Sequence, residues 1–493
     1  MSDTPTRVLL ELRPALDGHA GIPQETRLLY RSLARIRNAR LEGMLLSSTR
    51  MLPRGIPADS GGMSVDRQIN RLSRVIVALQ SGEGASAFER AIARFKLALS
   101  PLRAIASTML GLRQSLTVFD PRLFKDFVWR AMFEKTLPSS DFDLVMGTRF
   151  RVARLPWTAL HAAGLITRRI GLGLYPTLDT RDFDVMIAET PYPGRVRRPT
   201  RLVVRYHDAI PLLMPHTISD KSYHQASHFH ALRRNVADGA WFACVSESTR
   251  RDLLSVFPQA EARSVTIPNM VSHHYHDEKA PFDRIPEILR VRRHSGLETA
   301  ESPSASAGGV VPYLLLVSTI EPRKNHLSLL SAWEHLRSSG HPNLQLVFVG
   351  SLGWSHHAIV KRFKPWLARG GLHVLEFVPS DELRLLYRHA TVTVCPSFGE
   401  GFDYSGVEAM RCGGVVAASD IPVHREIFDD AAVYFSPYSV TQLTQCIGQI
   451  IEPGADERRS ALVDAGARVS ERYTFDSVQP LWDDFLARVM RES

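Results

Sequence analysis

The sequence predicts an α/β protein made of two Rossmann-like domains that face each other across a cleft. Its 493 residues exceed the size at which a single hydrophobic core usually keeps growing. Short apolar runs alternate with helical stretches, a pattern typical of a doubly wound parallel sheet. The alternation stops at residues 301–309, which are rich in Ser, Ala and Gly, and then begins again. This interruption predicts a linker between the two domains.

The first domain is predicted to open with an apolar strand at 8–12, a turn containing Gly21 and a helix at 24–36. A strand, a glycine-bearing turn and a helix begin a Rossmann-like unit, and the helix N-terminus attracts anions. The turn lacks the full GxGxxG spacing, so alone it is a weak signal. Apolar runs and amphipathic stretches further predict strands at 144–146, 185–188, 202–206, 241–245 and 265–267, and helices at 222–236 and 247–257.

The second domain repeats the alternation. Its predicted elements are strands at 313–317, 344–349, 374–377, 392–395 and 415–418, a helix at 326–338, and an amphipathic helix at 475–490. The predicted boundaries are therefore 1–275 for the first domain, 276–309 for the linker, 310–470 for the second domain and 471–493 for a terminal helix.

Residues 60–138 interrupt the first domain and are predicted to form a basic helical insertion. Its basic residues alternate with Phe, Leu, Ile and Met at roughly helical spacing: Arg90, Arg94, Lys96, Arg103, Arg113, Arg122, Lys125, Arg130 and Lys135. In one interpretation these helices pack their apolar stripe on the first domain. In the other they dock on a partner or on an anionic membrane surface, as basic amphipathic helices do.

The composition excludes several classes of protein. Sixty Lys and Arg against 51 Asp and Glu give a net charge of +9, which favours anionic partners such as nucleotides. No zinc-finger, RNA-binding or recognition-helix pattern occurs, so nucleic acid is not an expected partner. The four cysteines include no CxxC pair, so neither a zinc site nor a disulfide framework is indicated. Without a signal peptide or a long apolar window, the expectation is a cytoplasmic protein.

Two cations mark the start of a helix in the second domain. Arg323 and Lys324 follow the predicted strand at 313–317, where the loops after parallel strands line a ligand crevice. A guanidinium grips phosphate oxygens in a fork, and an ammonium adds a compact charge. The alternative is a pair of solvated charges, which is disfavoured because cations oppose the helix dipole at that end. The pair therefore predicts a diphosphate site that needs no metal.

Two carboxylates lie seven residues apart in the segment Glu-Gly-Phe-Asp-Tyr-Ser-Gly-Val-Glu, from Glu400 to Glu408. A helix N-terminus beside two carboxylates suits a ligand with phosphate and hydroxyl groups. Ser405 and Glu408 also match a capping box, in which the Glu only satisfies a backbone N–H. Capping does not explain Glu400, Gly401 or Phe402, so ligand binding is the preferred interpretation.

A histidine and several aspartates complete the candidates. His207 and Asp208 follow the predicted strand at 202–206 and face the cleft, so His207 is a candidate catalytic residue. The spacing of His216, His224, His228 and His230 is not that of a closed zinc site. Residues 141–143 and 182–184 read Asp-Phe-Asp, a pattern that holds Mg²⁺, but they precede strands and so lie at the wrong end of the sheet. The sequence therefore predicts no metal ligand.

These residues together resemble the retaining glycosyltransferases of family 4, which have the GT-B architecture. The segments that carry the resemblance are the Gly21 loop, His207-Asp208, 245–247, 268–269, 321–325 and 400–408. In that family the second domain binds a nucleotide-sugar donor and the terminal helix crosses back to the first domain. The nucleotide sugar is a co-substrate, so no further cofactor is implied.

The resemblance also implies roles for single residues. Arg323 and Lys324 would bind the diphosphate, Glu408 the ribose, and Ser405 would lie at the start of the donor-binding helix. Glu400 and the backbone of Gly401 and Phe402 would bind the sugar, His207 would lie near the reacting centre, and Gly21 would approach the phosphates or the acceptor. Arg323, Lys324, Glu400 and His207 are the predicted catalytic residues.

One departure bears on the donor. Family members commonly have Gly-Leu-Pro after Glu-Gly-Phe, whereas this chain has Asp403-Tyr404-Ser405. The segment 321–325 looks most like mannosyl- and rhamnosyl-transferases of bacterial surface polysaccharides, which implies GDP-mannose or GDP-rhamnose and a glycan or lipid-linked glycan acceptor. Two alternatives stay open: a sugar-nucleotide-dependent synthase or phosphorylase on the same fold, and a non-catalytic scaffold of a polysaccharide assembly complex.

Overall fold

The structure is a computed structural model that describes residues 5–18, 21–58, 62–80, 87–279, 281–297 and 311–492. The predicted linker at 301–309 lies outside the described residues. Within them, the strands are β1 Thr6–Glu11, β2 Ala39–Leu45, β3 Thr117–Phe119, β4 Arg149–Val152, β5 Thr177–Leu178, β6 Val185–Ala188, β7 Arg195–Val196, β8 Arg201–Tyr206, β9 Trp241–Cys244, β10 Ser264–Thr266, β11 Tyr313–Val317, β12 Gln345–Val349, β13 Leu372–Leu375, β14 Val392–Cys395, β15 Val416–Ser419 and β16 Ala432–Phe435.

The helices lie between the strands. They are α1 Ile22–Ala34, α2 Val65–Gln80, α3 Ala87–Met109, α4 Lys125–Met132, α5 Phe142–Met146, α6 Trp157–Arg168, α7 Ile210–Leu213, α8 Lys221–Ala237, α9 Glu247–Val256, α10 Arg284–Val291, α11 His326–Ser338, α12 His357–Arg369, α13 Ser380–His389, α14 Tyr404–Arg411, α15 Pro422–Phe428, α16 Val440–Ile451, α17 Asp456–Ser470 and α18 Phe475–Arg491. Among the described residues, none of the helices combines the length and apolarity that crossing a membrane requires.

All strands but β5 and β7, which pair with each other, form two doubly wound sheets, as predicted. The first has the order β10-β9-β8-β6-β1-β2-β4-β3 and the second has the order β13-β12-β11-β14-β15-β16. All pairings are parallel except that of β3 with β4 at the edge of the first sheet. The order in which successive strands are added to the sheet reverses between β1 and β6 in the first sheet and between β11 and β14 in the second. Crevices beyond the carboxyl ends of the strands at such points are where open α/β sheets bind ligands.

The terminal helix packs on the first domain. Phe475, Trp482 and Phe485 of α18 lie in the same buried cluster as Val8 of β1 and Val203 of β8. Trp482 is fully buried. This contact joins the end of the chain to the sheet at its beginning.

The insertion at 60–138 is less uniform than predicted. It contributes an edge strand, β3, and Val75 of α2 and Val128 of α4 belong to the core of the first domain. These parts fit the interpretation of packing helices, because their apolar side chains are buried. In contrast, α3 leaves Phe95 and Met109 more than 60% exposed, at 66% and 69%. A membrane-docking role for α3 stays a prediction.

One predicted strand is wrong. Residues 144–146 lie in helix α5, and the strand follows at Arg149–Val152. A run of three apolar residues does not distinguish the two structures by periodicity. Asp143 in the first turn favours the helix, since a carboxylate stabilises a helix N-terminus.

Candidate active site

The candidate site lies beyond the carboxyl ends of β11 and β14, where the strand order of the second sheet reverses. The loop after β11 contains a 3-10 turn, Pro322–Lys324, and the loop after β14 leads to Glu400. Asn325 holds the turn in place, since its left-handed backbone (φ 57°) ends the turn and its amide donates to the carbonyl oxygens of Pro396 and Pro437 at 3.1 and 2.9 Å. The two loops are therefore fixed to each other.

Arg323, Lys324 and Glu400 form one ion-pair network. The Arg323 guanidinium lies 2.7 Å from Glu400 Oε2, and Lys324 Nζ lies 2.6 Å from Oε1. Arg323 also pairs with Glu321 at 2.9 Å. The structure thus brings the predicted diphosphate-binding cations together with the predicted sugar-binding carboxylate, and each holds the other.

The electrostatics of this network are those of a charged, compensated site. Burial alone would raise the pKa of the Glu400 carboxyl, but Arg323 and Lys324 outweigh it and hold the pKa below its usual value. Burial would likewise lower the pKa of Arg323, and the carboxylates of Glu400 and Glu321 raise it instead. Glu400 and Arg323 are therefore both charged near neutral pH.

Glu408 lies one helical segment further on, in a different environment. Its Oε1 accepts from the amide of Gln24 at 2.9 Å, and its Oε2 accepts from the Tyr387 hydroxyl at 2.9 Å. Both partners are neutral, and burial raises the pKa of Glu408 to about 7. A carboxyl with hydroxyl and amide partners is suited to hydroxyl groups of a ligand.

The capping-box interpretation of Glu408 is wrong. The N-cap of α14 is Asp403, whose side chain accepts from the backbone N–H of Ser405, and Ser405 donates its hydroxyl to the same oxygen at 2.7 Å. Asp403 has φ 68°, which displaces the helix start by two residues from the one a Ser cap would give. Glu408 is thereby free to face Gln24.

Asp403 also forms a buried pair that the sequence did not indicate. His424 Nε2 lies 3.1 Å from Asp403 Oδ2, and His424 Nδ1 lies 3.0 Å from the Ser419 hydroxyl. Burial would raise the pKa of Asp403, but the His424 hydrogen bond and the Lys324 charge lower it far below the ordinary value. The pair fixes the residue that begins α14.

The first domain contacts the loop after β14 at Gly401. A Cβ added at Gly401 would lie 1.8 Å from the His207 carbonyl oxygen, so only glycine allows the approach. The Ser246 hydroxyl donates to the Gly401 carbonyl at 2.8 Å. Phe402 is buried in the core of the second domain, so any ligand contact of residues 401–402 falls to the backbone.

Gly21 and His207 are the predicted site residues of the first domain. Gly21 is the N-cap of α1 with φ 69° and open space around its Cβ position. His207 follows β8, and its Nε2 lies 3.6 Å from Glu189 Oε2. Burial lowers the pKa of His207 to about 4, so the imidazole is neutral near pH 7.

Aspartates of the two Asp-Phe-Asp segments form ion pairs with arginines. Asp141 pairs with Arg31 at 2.7 Å, Asp182 with Arg151 at 3.3 Å and Asp184 with Arg7 at 2.8 Å. Asp182 and Asp184 precede β6, at the edge opposite the cleft, as predicted. These ion pairs account for three of the four carboxylates, and the fourth, Asp143, lies in the first turn of α5.

In the described part of the chain, the grouping with metal-ligand spacing is Glu25, Glu189 and His207, whose ligand atoms all lie within 4.8 Å of one another. The histidines of α8 take no part in it. Sequence patterns did not reveal Glu25 or Glu189, since each is a single acidic residue on a separate element. The signal that was present is their position at the carboxyl edge of the sheet, since Glu25 lies in the first turn of the helix after Gly21 and Glu189 directly follows β6.

Further contacts hold the two domains together around the site. Glu426 of the second domain accepts from the backbone N–H groups of Glu247 and Ser248, at 2.6 and 2.8 Å, at the N-terminus of α9. The Trp354 indole donates to the Thr217 carbonyl at 2.7 Å. With the Gln24–Glu408 bond, they close the cleft over the ion-pair network.

Comparison with known proteins shows what these features are similar to. Residues 303–469 match the family model described as Glycosyl transferases group 1. The chain is 25% identical over 301 residues to O-antigen chain mannosyltransferase B of Escherichia coli, covering 60% of this chain and 73% of that protein. It is 33% identical over 119 residues to O-antigen chain mannosyltransferase RfbU of Salmonella typhimurium, covering 24% of this chain and 30% of the relative.

Solved structures show the same fold. Sucrose-phosphate synthase from Thermosynechococcus elongatus superposes with a TM-score of 0.59 at 13% identity, covering 99% of this chain and 100% of that one. HepE of Anabaena, solved in complex with UDP, gives 0.53 at 14% identity, covering 98% and 100%. The architecture is therefore GT-B, as the sequence predicted.

Proposed function

We propose that this chain, a GT-B glycosyltransferase that contains a glycosyl transferases group 1 domain, transfers a hexose from a nucleoside diphosphate sugar to a growing surface glycan. The proposed donor is GDP-mannose or GDP-rhamnose, and the acceptor is a glycan or a lipid-linked glycan. The names of the two O-antigen mannosyltransferases to which the chain is similar support the sugar and the setting. The likeness to solved structures supports the fold alone.

The observation that carries the proposal is the network of Arg323, Lys324 and Glu400. Two cations that share the carboxylate of Glu400 are ready to exchange that partner for a diphosphate. A diphosphate brings more negative charge than Glu400, so it takes the guanidinium fork and the ammonium. Glu400 is then released to accept hydrogen bonds from sugar hydroxyls. Ligand binding and carboxylate release are thus one exchange.

The same residues supply the proposed chemistry. As the bond between sugar and diphosphate breaks, negative charge grows on the leaving oxygens and positive charge grows on the sugar ring. Preorganised cations beside the leaving group stabilise that charge. Arg323 and Lys324 take the role that a divalent metal has in other transferases, so we propose transfer without a metal and with retention of configuration. Glu408 binds the ribose, and the neutral His207 contacts the sugar.

A thermal-shift screen followed by product analysis tests this function. The purified protein is heated with UDP-, GDP-, ADP- and dTDP-sugars in EDTA, since a ligand that binds only the folded state raises the melting temperature. A shift confined to GDP-sugars, with an α-linked product from an α-linked donor, is expected. A shift with UDP-sugars would keep the transferase and replace the donor. Restoration of activity only by Mg²⁺ would refute metal independence.

The same assays separate the alternatives. A synthase or phosphorylase would form product with a sugar phosphate or with inorganic phosphate as acceptor and not with a glycan. A scaffold would give neither a thermal shift nor a product with any nucleotide sugar. The intact network of Arg323, Lys324 and Glu400 favours the enzyme.

A further inference from the structure

The first-domain face of the cleft carries a group of buried polar atoms without hydrogen-bond partners. They are Glu25 Oε2, both carboxylate oxygens of Glu189 and His207 Nε2, together with the Tyr404 hydroxyl of the second domain. Glu25 and Glu189 are fully buried. Glu25 and Glu189 can pair with each other through one shared proton, which leaves one Glu189 oxygen, His207 Nε2 and the Tyr404 hydroxyl without partners. Folded proteins pair nearly all buried polar groups, so these remaining atoms indicate that something else supplies their partners.

The topology brings these atoms to one place. Glu189 follows β6 and His207 follows β8, which are neighbours in the first sheet. Glu25 lies in the first turn of α1, the helix that follows β1 on the other side of β6. The cluster therefore occupies the reversal point of the first sheet, and the His207 backbone lies against Gly401 of the second domain.

A count of charges distinguishes the possible occupants. The neighbouring Glu11 pairs with Arg13 at 2.8 Å, and Glu25 pairs through Oε1 with Arg205 at 2.8 Å. Glu189 lies beside Glu25 and 3.6 Å from His207, whose imidazole is neutral near pH 7, and the guanidinium near it, Arg205, is bonded to Glu25. Three carboxylates and two guanidiniums leave one excess negative charge.

One proton balances that charge, whereas a divalent cation would exceed it. Burial raises the pKa of Glu25 and of Glu189 to about 7, as expected for two carboxyls that hold one proton between them. A half-protonated carboxyl pair offers both a donor and an acceptor. A neutral imidazole and a phenol hydroxyl do the same. This is the combination that sugar hydroxyls require.

We propose that Glu189 binds hydroxyl groups of a sugar ring in the cleft, together with His207 Nε2 and the Tyr404 hydroxyl. The inference rests on the proposed function and adds a subsite from the first domain to it. Glu25 holds Glu189 in place through the shared proton and is itself held by Arg205. The sugar is either that of the donor or the terminal residue of the acceptor glycan, since both present the same hydroxyls.

The test compares Glu189→Gln and Tyr404→Phe with the control Asp182→Asn, which alters a half-exposed carboxylate at the opposite end of β6. Losing a hydrogen bond to a carboxyl is expected to lower kcat/KM by roughly ten- to a hundredfold in Glu189→Gln. The thermal shift produced by free GDP should stay as in the wild type, since the diphosphate contacts are untouched. Tyr404→Phe removes a hydroxyl that has no protein partner, so its melting temperature should not fall while kcat/KM does.

Each outcome decides a separate point. A raised KM for the nucleotide sugar assigns the subsite to the donor, and a raised KM for the glycan assigns it to the acceptor. Wild-type kinetics in both folded variants would overturn the inference while the proposed function stands. A wild-type protein that transfers no sugar would overturn the proposed function itself. One tightly bound zinc or manganese ion per wild-type chain, absent from Glu189→Gln by elemental analysis, would replace the sugar subsite with a metal site.

Discussion

The two faces of the cleft solve the problem of buried charge in opposite ways. On the second domain, Glu400 is ionised because Arg323 and Lys324 lie within 2.7 Å of it. On the first domain, Glu189 lies beside a neutral histidine, and Arg205, which is bonded to Glu25, does not prevent burial from raising the pKa of Glu189 to about 7. One face is a set of fixed charges, and the other is a set of neutral donors and acceptors.

The difference matches the two parts of a nucleotide sugar. Fixed cations suit a diphosphate, whose charge grows during the reaction, since they need no rearrangement at that moment. Neutral donors and acceptors suit a sugar, which has no charge of its own. Specificity for the sugar is then set by unpaired groups that the wrong sugar leaves unsatisfied. The second-domain face would therefore set the rate of transfer, and the first-domain face would set the selectivity for the sugar.

The largest predicted effect comes from breaking the charged face. Arg323→Ala and Lys324→Ala are each expected to lower kcat by roughly a hundred- to a thousandfold, the cost of losing one preorganised donor. Steady-state kinetics on folded protein measure the loss. Arg362→Ala is the matched control, because Arg362 is a 60% exposed cation of the same domain, 3.8 Å from Glu334. Near-normal turnover in both site variants would remove these residues from the reaction.

A second prediction sharpens the contrast between Glu400 and Glu408. The folded-state pKa of Glu408, about 7, exceeds the ordinary value of 4.5. Its stabilising contribution is therefore fully present below pH 4.5 and is lost as the pH rises to about 7. Glu408→Gln does not titrate, so the free energy of unfolding of the wild type relative to this variant should fall over that range, by on the order of 3 kcal/mol.

For Glu400→Gln we expect the stability difference from the wild type to change with pH in the opposite direction. The pKa of Glu400 is lowered in the folded protein, so its contribution is present above pH 4.5 and lost as the pH falls below it. Urea unfolding of the wild type and both variants between pH 4 and pH 8 measures the two slopes. A stability difference for Glu408→Gln that does not change with pH would contradict the assignment of a raised pKa.

The charged face was predictable from the sequence, whereas the neutral face was not. Arg323 and Lys324 are adjacent, and Glu400 and Glu408 lie in one segment, so a local pattern names the residues. Their mutual pairing was not predicted, because it depends on two loops meeting after β11 and β14. Glu25 and Glu189 lie on separate elements 164 residues apart in number, and only the strand order places them together.

The same reason explains the errors in the fold. Long apolar or amphipathic segments such as Tyr313–Val317 and His326–Ser338 were predicted with their observed bounds. The edge strand Thr117–Phe119 was not predicted, since three residues carry no period of their own and pair only because β4 is beside them. The N-cap at Asp403 was missed because an Asp with a left-handed backbone has no local sequence signal, and its partner His424 lies on another helix.

The smallest predicted effect concerns the contact that holds the two faces together. Glu426 accepts from two backbone N–H groups at the N-terminus of α9, where a carboxylate contributes about 1 kcal/mol. Glu426→Gln is expected to favour an open cleft. More of the binding free energy of the nucleotide sugar is then used to close the cleft, so its KM should rise several-fold while kcat is retained. Small-angle scattering should show a larger radius of gyration without ligand. Asp420→Asn is the control, since the Asp420–Arg425 pair lies close by in sequence and is about half exposed. An equal change in both variants would mean that surface charge, and not the contact between the domains, sets the closure.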